Sequence, residues 1–121
     1  MSATIMDGKA VAKTMQGELD AAVAEFKAKT GVTPTIAVVR AGEDPGSVWY
    51  ANAIKKTMAA RGMEAQLHVL PETASQAELV ALVAHLNEDP AVHGIMVQEP
   101  MPKGIDEAAV KAALSPLKDV D

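Results

Sequence analysis

The chain has 121 residues, of which 49% are hydrophobic and 22% charged, so it has the length and composition of one folded domain and not those of a disordered segment. Its net charge of −5, with lysines and arginines spread along the chain, argues against nucleic acid as a partner. There is no cysteine for a disulfide, thiolate metal site or nucleophile, no secretion signal, and no apolar run near the ~20 residues that span a bilayer, so we expect a cytoplasmic protein that does not enter membranes.

The first predicted elements are a short β-type run at residues 4–6 and a long helix that begins near Lys9. Apolar residues recur along this helix at spacings of four, four, four and three, which is typical of one face of an amphipathic helix. These residues are Val11, Met15, Leu19, Val23 and Phe26. The helix is expected to end near Gly31, because glycine commonly terminates helices.

Strands and helices alternate in the rest of the chain. The predicted strands are residues 33–39, 65–70 and 92–97. The predicted helices are 45–61, which starts at a proline, 76–87, which follows a capping box, and 105–114. The continuous apolar run in the first of these strands is typical of a strand buried on both faces, as in a parallel sheet. The pattern therefore predicts an α/β fold, a three-layer αβα domain with a mainly parallel sheet that takes in residues 1–121.

Polar segments follow two of these strands, at residues 40–44 and 98–102. In open α/β sheets, ligands bind beyond the carboxyl ends of the strands, so the two segments are expected at one edge as a binding site, and the tail at 119–121 is placed to return there. Residues 45–61 carry the only Trp and the only Tyr of the chain, Trp49 and Tyr50.

Several common site motifs are absent from the sequence. It contains no GxGxxG after a strand, no Walker motif, no HExxH and no GxSxG, so nucleotide, zinc and serine-hydrolase functions have no local support. His68, His85 and His93 are far apart along the chain, and we expect structural or solvated roles for them. Paired acids such as Glu43 and Asp44 are interpreted as helix caps, and no metal site is predicted.

Three segments together resemble a known family. GEDPGSVWY with the lysines that follow it, GIMVQEPMP, and SPLKDVD are similar, in the same order, to the signatures of the methylenetetrahydrofolate dehydrogenase/cyclohydrolase family. The resemblance covers essentially the whole chain and corresponds to the family's N-terminal, folate-binding catalytic domain. It implies a multifunctional enzyme of one-carbon metabolism that oxidises 5,10-methylenetetrahydrofolate with NAD(P)+ and hydrolyses the methenyl product to 10-formyltetrahydrofolate.

The resemblance also implies a cofactor and an assembly. In the family, NADP or NAD is held by a second, C-terminal, Rossmann-type domain that is absent from this chain, so we expect no cofactor to be bound by these 121 residues alone. Family members form homodimers largely through that second domain. The oligomeric state of this chain is therefore left open, with a monomer as one possibility. The expected ligand is a tetrahydrofolate derivative.

Individual site residues are also implied by the resemblance. Tyr50 would line the folate pocket and pack against the ring system, since tyrosine offers an apolar face and a polar tip. Gln98 would lie beside the reacting carbon, and Asp121 would hold the pterin amide edge through paired hydrogen bonds. Pro100 and Pro102 would shape the wall over the ligand.

The sequence departs from the family pattern at two positions. Ile54 stands where the family has a catalytic lysine, and Lys55 and Lys56 are the candidates to replace it as acid/base. A regular helix turns them by about 100° and 200° from that position, although a π-bulge could rotate Lys55 back. Glu99 replaces an apolar residue, and we expect its carboxylate to face solvent, the alternative being that it restores polarity beside the reacting carbon. In the family this lysine activates water for the cyclohydrolase step, whereas hydride transfer depends more on positioning. The resemblance therefore supports hydride transfer more than the cyclohydrolase step.

Two other functions remain open on the sequence. The chain could be a non-catalytic folate-binding or assembly module derived from the family, which the loss of the lysine at Ile54 favours. It could instead be a generic α/β interaction domain, in which Trp49, Tyr50 and the Pro-x-Pro segment form a protein contact.

Overall fold

A computed structural model describes residues 2–121. Its elements, in chain order, are α1 (Gly8–Thr30), β1 (Thr35–Ala41), α2 (Pro45–Ala60), β2 (Glu64–Leu70), α3 (Gln76–Glu88), β3 (Gly94–Val97) and α4 (Glu107–Ala112). The predicted alternation of strands and helices is confirmed, with β3 and α4 shorter than expected. The predicted strand at 4–6 is wrong: these residues form no strand, and the side chains of Ile5 and Met6 are 87% and 95% exposed. No helix within residues 2–121 is long and apolar enough to cross a membrane.

The three strands form one parallel sheet in the order β2-β1-β3. From β1 the chain steps to one side to reach β2, and from β2 it steps back across β1 to reach β3. Because such crossovers are right-handed, the two steps place α2 and α3 on opposite faces of the sheet. The fold is therefore the predicted three-layer α/β domain with a parallel sheet.

The hydrophobic core lies between the sheet and the pair α3 and α4. Alternate residues of β1 face this core. The fully buried side chains of the core include Val39, Leu79, Val83, Leu86, Val92, Ile95 and Val110. Burying one Val or Leu side chain contributes about 1.5–3 kcal/mol, so an aliphatic core can hold this fold with almost no aromatic residues.

Caps determine where α2 and α3 begin. The Asp44 side chain accepts a hydrogen bond from the Ser47 backbone N–H, and Pro45 is the first residue of α2. Both hydrogen bonds of a capping box link Ser75 and Glu78 at the start of α3. Both starts agree with the sequence prediction, because these side chains satisfy backbone N–H groups that have no partner within the helix.

The helix α1 spans the predicted range but packs less than its apolar pattern indicates. Val23 is its buried residue. Side chains of the same face that are 45–61% exposed are Val11, Met15 and Leu19. Near the end of α2, Lys27 Nζ donates to the Gly62 carbonyl at 3.1 Å, and Arg61 pairs with Asp20 at 2.8 Å. Few contacts thus attach a 23-residue helix to the domain.

The C-terminal tail pairs in parallel with β3. The sequence predicted its return to this edge but not the pairing. The Ile95 N–H donates to the Lys118 carbonyl at 2.7 Å, and the Val120 N–H donates to the Ile95 carbonyl at 3.4 Å. Gly94 permits this close approach, since a Cβ at that position would lie 2.7 Å from Val120 Cγ1. The pairing carries Asp121 to the carboxyl edge of the sheet.

Candidate ligand-binding site at the carboxyl edge of the sheet

A cavity of about 220 Å³ lies at the carboxyl edge of the sheet. It is lined by Tyr50 from α2, by residues 96–99 at the end of β3, and by Asp121 from the tail. The expected folate contacts Tyr50, Gln98 and Asp121 are far apart in sequence, and the fold brings all three to this one cavity.

Gln98 is held rigidly and has a free acceptor. Gln98 is only 6% exposed. Its backbone N–H donates to the Val39 carbonyl at 2.8 Å, and its side-chain Nε2 donates to the Ser47 carbonyl at 3.1 Å. The other amide atom, Oε1, is buried and has no hydrogen-bond partner within residues 2–121. An unpaired buried acceptor costs about 1–3 kcal/mol, which a ligand N–H donor would recover.

Ser47 joins α2 to the segment that follows β3. Its hydroxyl lies 3.1 Å from the Asp44 carboxylate and 3.1 Å from the Glu99 carbonyl oxygen, and the residue is only 5% exposed. Together with the hydrogen bond from Gln98, these contacts fix the start of α2, and hence Tyr50, relative to the carboxyl edge of the sheet. The sequence did not predict this bridging role, because the contacts with Gln98 and Glu99 join residues that are some fifty positions apart.

Tyr50 and its neighbours provide an apolar surface for a planar ligand. Tyr50 is 51% exposed, so its ring remains accessible, and Met96 and Val97 contribute apolar wall beside it. An aromatic ring of this kind binds a flat heterocycle by offset stacking, with the phenolic oxygen available for a hydrogen bond.

An ion network lies beside the cavity. Lys111 Nζ from α4 lies 2.5 Å from Glu99 Oε1 and 3.9 Å from Asp121 Oδ2. The hydrogen bond to Glu99 raises the pKa of Lys111 above its ordinary value of 10.5, and the nearby charges of Glu99, Asp121 and Glu107 add to the rise against partial desolvation. Lys111 is therefore an ammonium group at neutral pH and cannot accept a proton.

The sequence anticipated only part of this network. Glu99 was expected to face solvent, and its side chain is 46% exposed, yet its carboxylate is paired with Lys111 and the residue borders the cavity. Lys111 was missed, because its pairing with Glu99 joins a loop to a separate helix. The charge that Glu99 introduces beside Gln98 was the one signal that a compensating cation should lie nearby.

The two lysines proposed as replacements do not reach the cavity. The helix α2 is a regular α-helix over Pro45–Ala60, without the π-bulge that could have rotated Lys55. Lys55 and Lys56 are exposed, and neither lines the cavity; Ile54 is half-buried and lies outside the lining as well. The amine expected next to Gln98 is therefore not supplied from α2.

Pro100 and Pro102 border a neighbouring cavity of about 390 Å³, together with Gly42, Asp44 and Lys103 among others. The prolines thus lie beside the Tyr50 cavity without lining it. The Glu99–Pro100 peptide bond is cis. Residues 2–121 contain no group of three His, Cys, Asp or Glu side chains arranged to hold a metal ion.

Fold and site together define an open parallel α/β domain with a ligand cavity beyond the carboxyl ends of its strands, the usual place for a binding site in this class. The chain belongs to the tetrahydrofolate dehydrogenase/cyclohydrolase family, whose catalytic-domain model matches residues 6–121.

Curated relatives match over nearly the whole chain. It is 52% identical over 120 residues to the bifunctional protein FolD of Caulobacter sp. strain K31, covering 98% of this chain and 40% of that protein. It is 48% identical over 121 residues to FolD of Nitrobacter hamburgensis, covering 100% of this chain and 41% of that protein. The chain thus spans about two fifths of the length of these relatives.

Solved structures show the same fold. The bifunctional FolD enzyme of Campylobacter jejuni superposes with a TM-score of 0.90 at 35% identity, over 98% of this chain and 42% of that one. FolD of Trypanosoma brucei, solved with NADP cofactor and inhibitor, gives a TM-score of 0.86 at 36% identity, over 100% of this chain and 41% of that one.

Proposed function

We propose that the chain is the folate-binding catalytic domain of a bifunctional methylenetetrahydrofolate dehydrogenase/cyclohydrolase, and that its cavity at the carboxyl edge binds a tetrahydrofolate derivative. One observation carries the proposal: Tyr50, Gln98 and Asp121, contributed by three separate elements, line a single cavity. Membership of the family supports the substrate class.

Each of the three residues has a distinct task in this proposal. The Tyr50 ring stacks on the heterocycle, and the Asp121 carboxylate accepts hydrogen bonds from its N–H groups. Gln98 Oε1, which is buried in this structure, accepts a further hydrogen bond near the reacting carbon once the ligand uncovers it. Hydride transfer from the methylene carbon depends mainly on holding two reactants in line, and a rigid pocket of this kind supports that task.

We infer that the nicotinamide cofactor is bound by a further domain of a longer protein. This chain has no glycine-rich dinucleotide motif. Its relatives are more than twice its length, and one was solved with NADP.

The cyclohydrolase step is weak or absent in this proposal. Adding water to the methenyl group requires a group that can accept a proton near the reacting carbon. Ile54 cannot do so, Lys55 and Lys56 do not reach the cavity, and Lys111 remains protonated at neutral pH.

A titration tests ligand binding. Trp49 adjoins Tyr50 and is 71% exposed, so its fluorescence should change with saturation when 5-formyltetrahydrofolate fills the cavity. Tyr50→Ala should weaken binding about tenfold, which is the loss of one stacked aromatic contact of about 1–1.5 kcal/mol. No response from the wild-type chain at millimolar ligand would favour a generic interaction domain.

A second assay separates an enzyme from a non-catalytic folate binder. We expect the wild-type chain to hydrolyse methenyltetrahydrofolate no faster than buffer, and Ile54→Lys to accelerate the reaction because it places an amine on the face of α2 that carries Tyr50. Asn52→Lys is the matched control, since it adds an amine about 200° away around the helix. Hydrolysis by the wild type would show that another group has taken over. If Ile54→Lys binds folate but hydrolyses methenyltetrahydrofolate no faster than the wild type, the non-catalytic module is favoured.

A further inference from the structure

We propose that Lys111 is a positioning residue of the folate cavity: by bridging Glu99 and Asp121, it holds the Asp121 carboxylate in place to accept hydrogen bonds from the N–H groups of the ligand. This inference rests on the proposed function, and it assigns a role to a side chain outside the segments that resemble the family signatures.

Lys111 reaches Asp121 from a cleft next to the cavity. The lysine lines a small cleft of about 80 Å³ together with Leu114 and Asp119, and this cleft shares Val97 and Asp121 with the main cavity. Lys111 itself is not among the residues that line the main cavity. Its ammonium therefore lies beside the Asp121 carboxylate and outside the set of residues that would surround the ligand.

The separations of Lys111 from its two partners suit this role. Nζ makes a short hydrogen bond to Glu99 at 2.5 Å, whereas its distance to Asp121 Oδ2 is 3.9 Å. At the longer distance the ammonium attracts the carboxylate without a hydrogen bond to it. The Asp121 oxygens thus keep their acceptor capacity for the ligand.

Asp121 has few other constraints. Its side chain is 50% exposed, and its backbone N–H donates to Asp119 Oδ1 at 3.1 Å. Two acidic residues, Glu99 and Asp121, are among those that line the cavity, and the lining includes no basic residue. Without Lys111 these like charges would repel each other, and the Asp121 side chain would regain the rotamer freedom that binding must then remove.

Glu99 has a complementary role in holding Lys111 back. In Glu99→Gln the ammonium loses its stronger partner and is free to bond Asp121 directly, where it competes with the ligand. Removing either member of the pair should therefore raise the Kd of the ligand. The double variant Glu99→Gln, Lys111→Met should raise the Kd by less than the product of the two single increases, as expected for residues in contact.

The experiment measures the Kd of 5-formyltetrahydrofolate for the 121-residue chain and its variants. Lys111→Met should raise the Kd about threefold, within the range for an exposed ion pair, and Lys111→Arg should restore it, because arginine also carries a cation. Lys29→Met is the matched control: Lys29 pairs with Glu25 at 2.7 Å on α1, away from the cavity, and its loss should leave the Kd unchanged. Salt should reduce the difference between wild type and Lys111→Met.

The outcomes distinguish this inference from the function on which it rests. A wild-type chain that binds no 5-formyltetrahydrofolate overturns the proposed function and this inference with it. Binding by the wild type with less than about a 1.5-fold change in Lys111→Met, below the expected range, overturns the role of Lys111 alone. If Lys111→Met does not fold by circular dichroism, Glu99→Gln carries the test: weaker binding supports the role, and unchanged binding overturns it.

Discussion

At the scale of single residues, the site combines an unpaired acceptor with a balanced set of charges. Gln98 Oε1 is buried and has no partner within residues 2–121, and the Glu99 and Asp121 carboxylates share the Lys111 ammonium. Both features fit the ligand binding of the proposed function, whereas the aliphatic Ile54 supplies neither an acid nor a base.

Replacing Gln98 with methionine should separate binding from stability. The substitution removes one hydrogen bond, to the Ser47 carbonyl, worth about 1 kcal/mol, and also removes a buried unpaired oxygen that costs about 1–3 kcal/mol. The free energy of unfolding in urea should therefore stay the same or rise slightly, while 5-formyltetrahydrofolate binds about tenfold more weakly because a hydrogen bond of about 1.5 kcal/mol is lost. A loss of more than about 2 kcal/mol of stability would mean that Oε1 has a partner in solution.

The amine of Lys111 should titrate above its ordinary pKa of 10.5, because its charged form is stabilised first by the hydrogen bond to Glu99. Since the pKa is higher in the folded chain than in the unfolded one, the stabilisation by this group is fully present below pH 10.5 and is lost as the pH rises through the folded value. NMR titration of chains labelled at lysine Cε, with Lys111→Arg to assign the signal, measures this pKa directly. Glu99→Gln should lower it, and an unchanged pKa in that variant would show that the pair is absent in solution.

At the scale of elements, the tail beside β3 completes the site. Asp121 reaches the cavity because the tail pairs with Ile95, and the tail can approach because Gly94 has no side chain. The sequence indicated that the tail returns to this edge, but the contact that requires a glycine could be found only in three dimensions. A hydrophobic pattern specifies which elements form and does not give the distance between two backbones.

Gly94→Ala should displace the tail and weaken folate binding severalfold. The new Cβ would lie 2.7 Å from Val120 Cγ1, so Val120 must move and Asp121 moves with it. Stability should fall by about 1 kcal/mol, the low end for overpacking, because Val120 is half-exposed and can shift. Adding Val120→Ala to Gly94→Ala should restore the Kd, with Val120→Ala alone as control. If the double variant stays weak, the clash is not the cause.

Within α1, two apolar residues of the same helix face should respond differently to substitution. Val23 is 6% exposed and packs near Gly62, so Val23→Ala should cost about 1–3 kcal/mol in the free energy of unfolding. Met15 is 61% exposed, and Met15→Gln should change it by less than about 0.5 kcal/mol, since both residues are good helix formers. If urea denaturation showed the same loss in the free energy of unfolding for both variants, the face of α1 that carries Met15 would be covered in solution.

At the scale of the whole molecule, the local signals in the sequence were sufficient for the fold but not for the environment of each residue. Caps, terminating glycines and apolar runs predicted α1–α4 and β1–β3 because those signals act over a few neighbouring residues. The run at 4–6 failed as a strand because it lacks a partner strand, and Lys111 was missed because its ion pairs join separate elements. Periodicity likewise predicted the apolar face of α1 without showing how little of it is buried.

The whole chain should bind reduced folate without oxidising it. Hydride transfer needs a nicotinamide held in line with the methylene carbon, and these 121 residues carry no glycine-rich turn to anchor its pyrophosphate. We therefore expect the purified chain, mixed with 5,10-methylenetetrahydrofolate and NADP+, to form NADPH no faster than a protein-free control when absorbance is followed. The same preparation must first pass the Trp49 titration, so that an inactive sample is not mistaken for an inactive domain. Robust NADP-dependent turnover would contradict this expectation. It would show that the cavities at the carboxyl edge accommodate the nicotinamide as well as the folate, so that this one domain holds both the donor and the acceptor of the hydride.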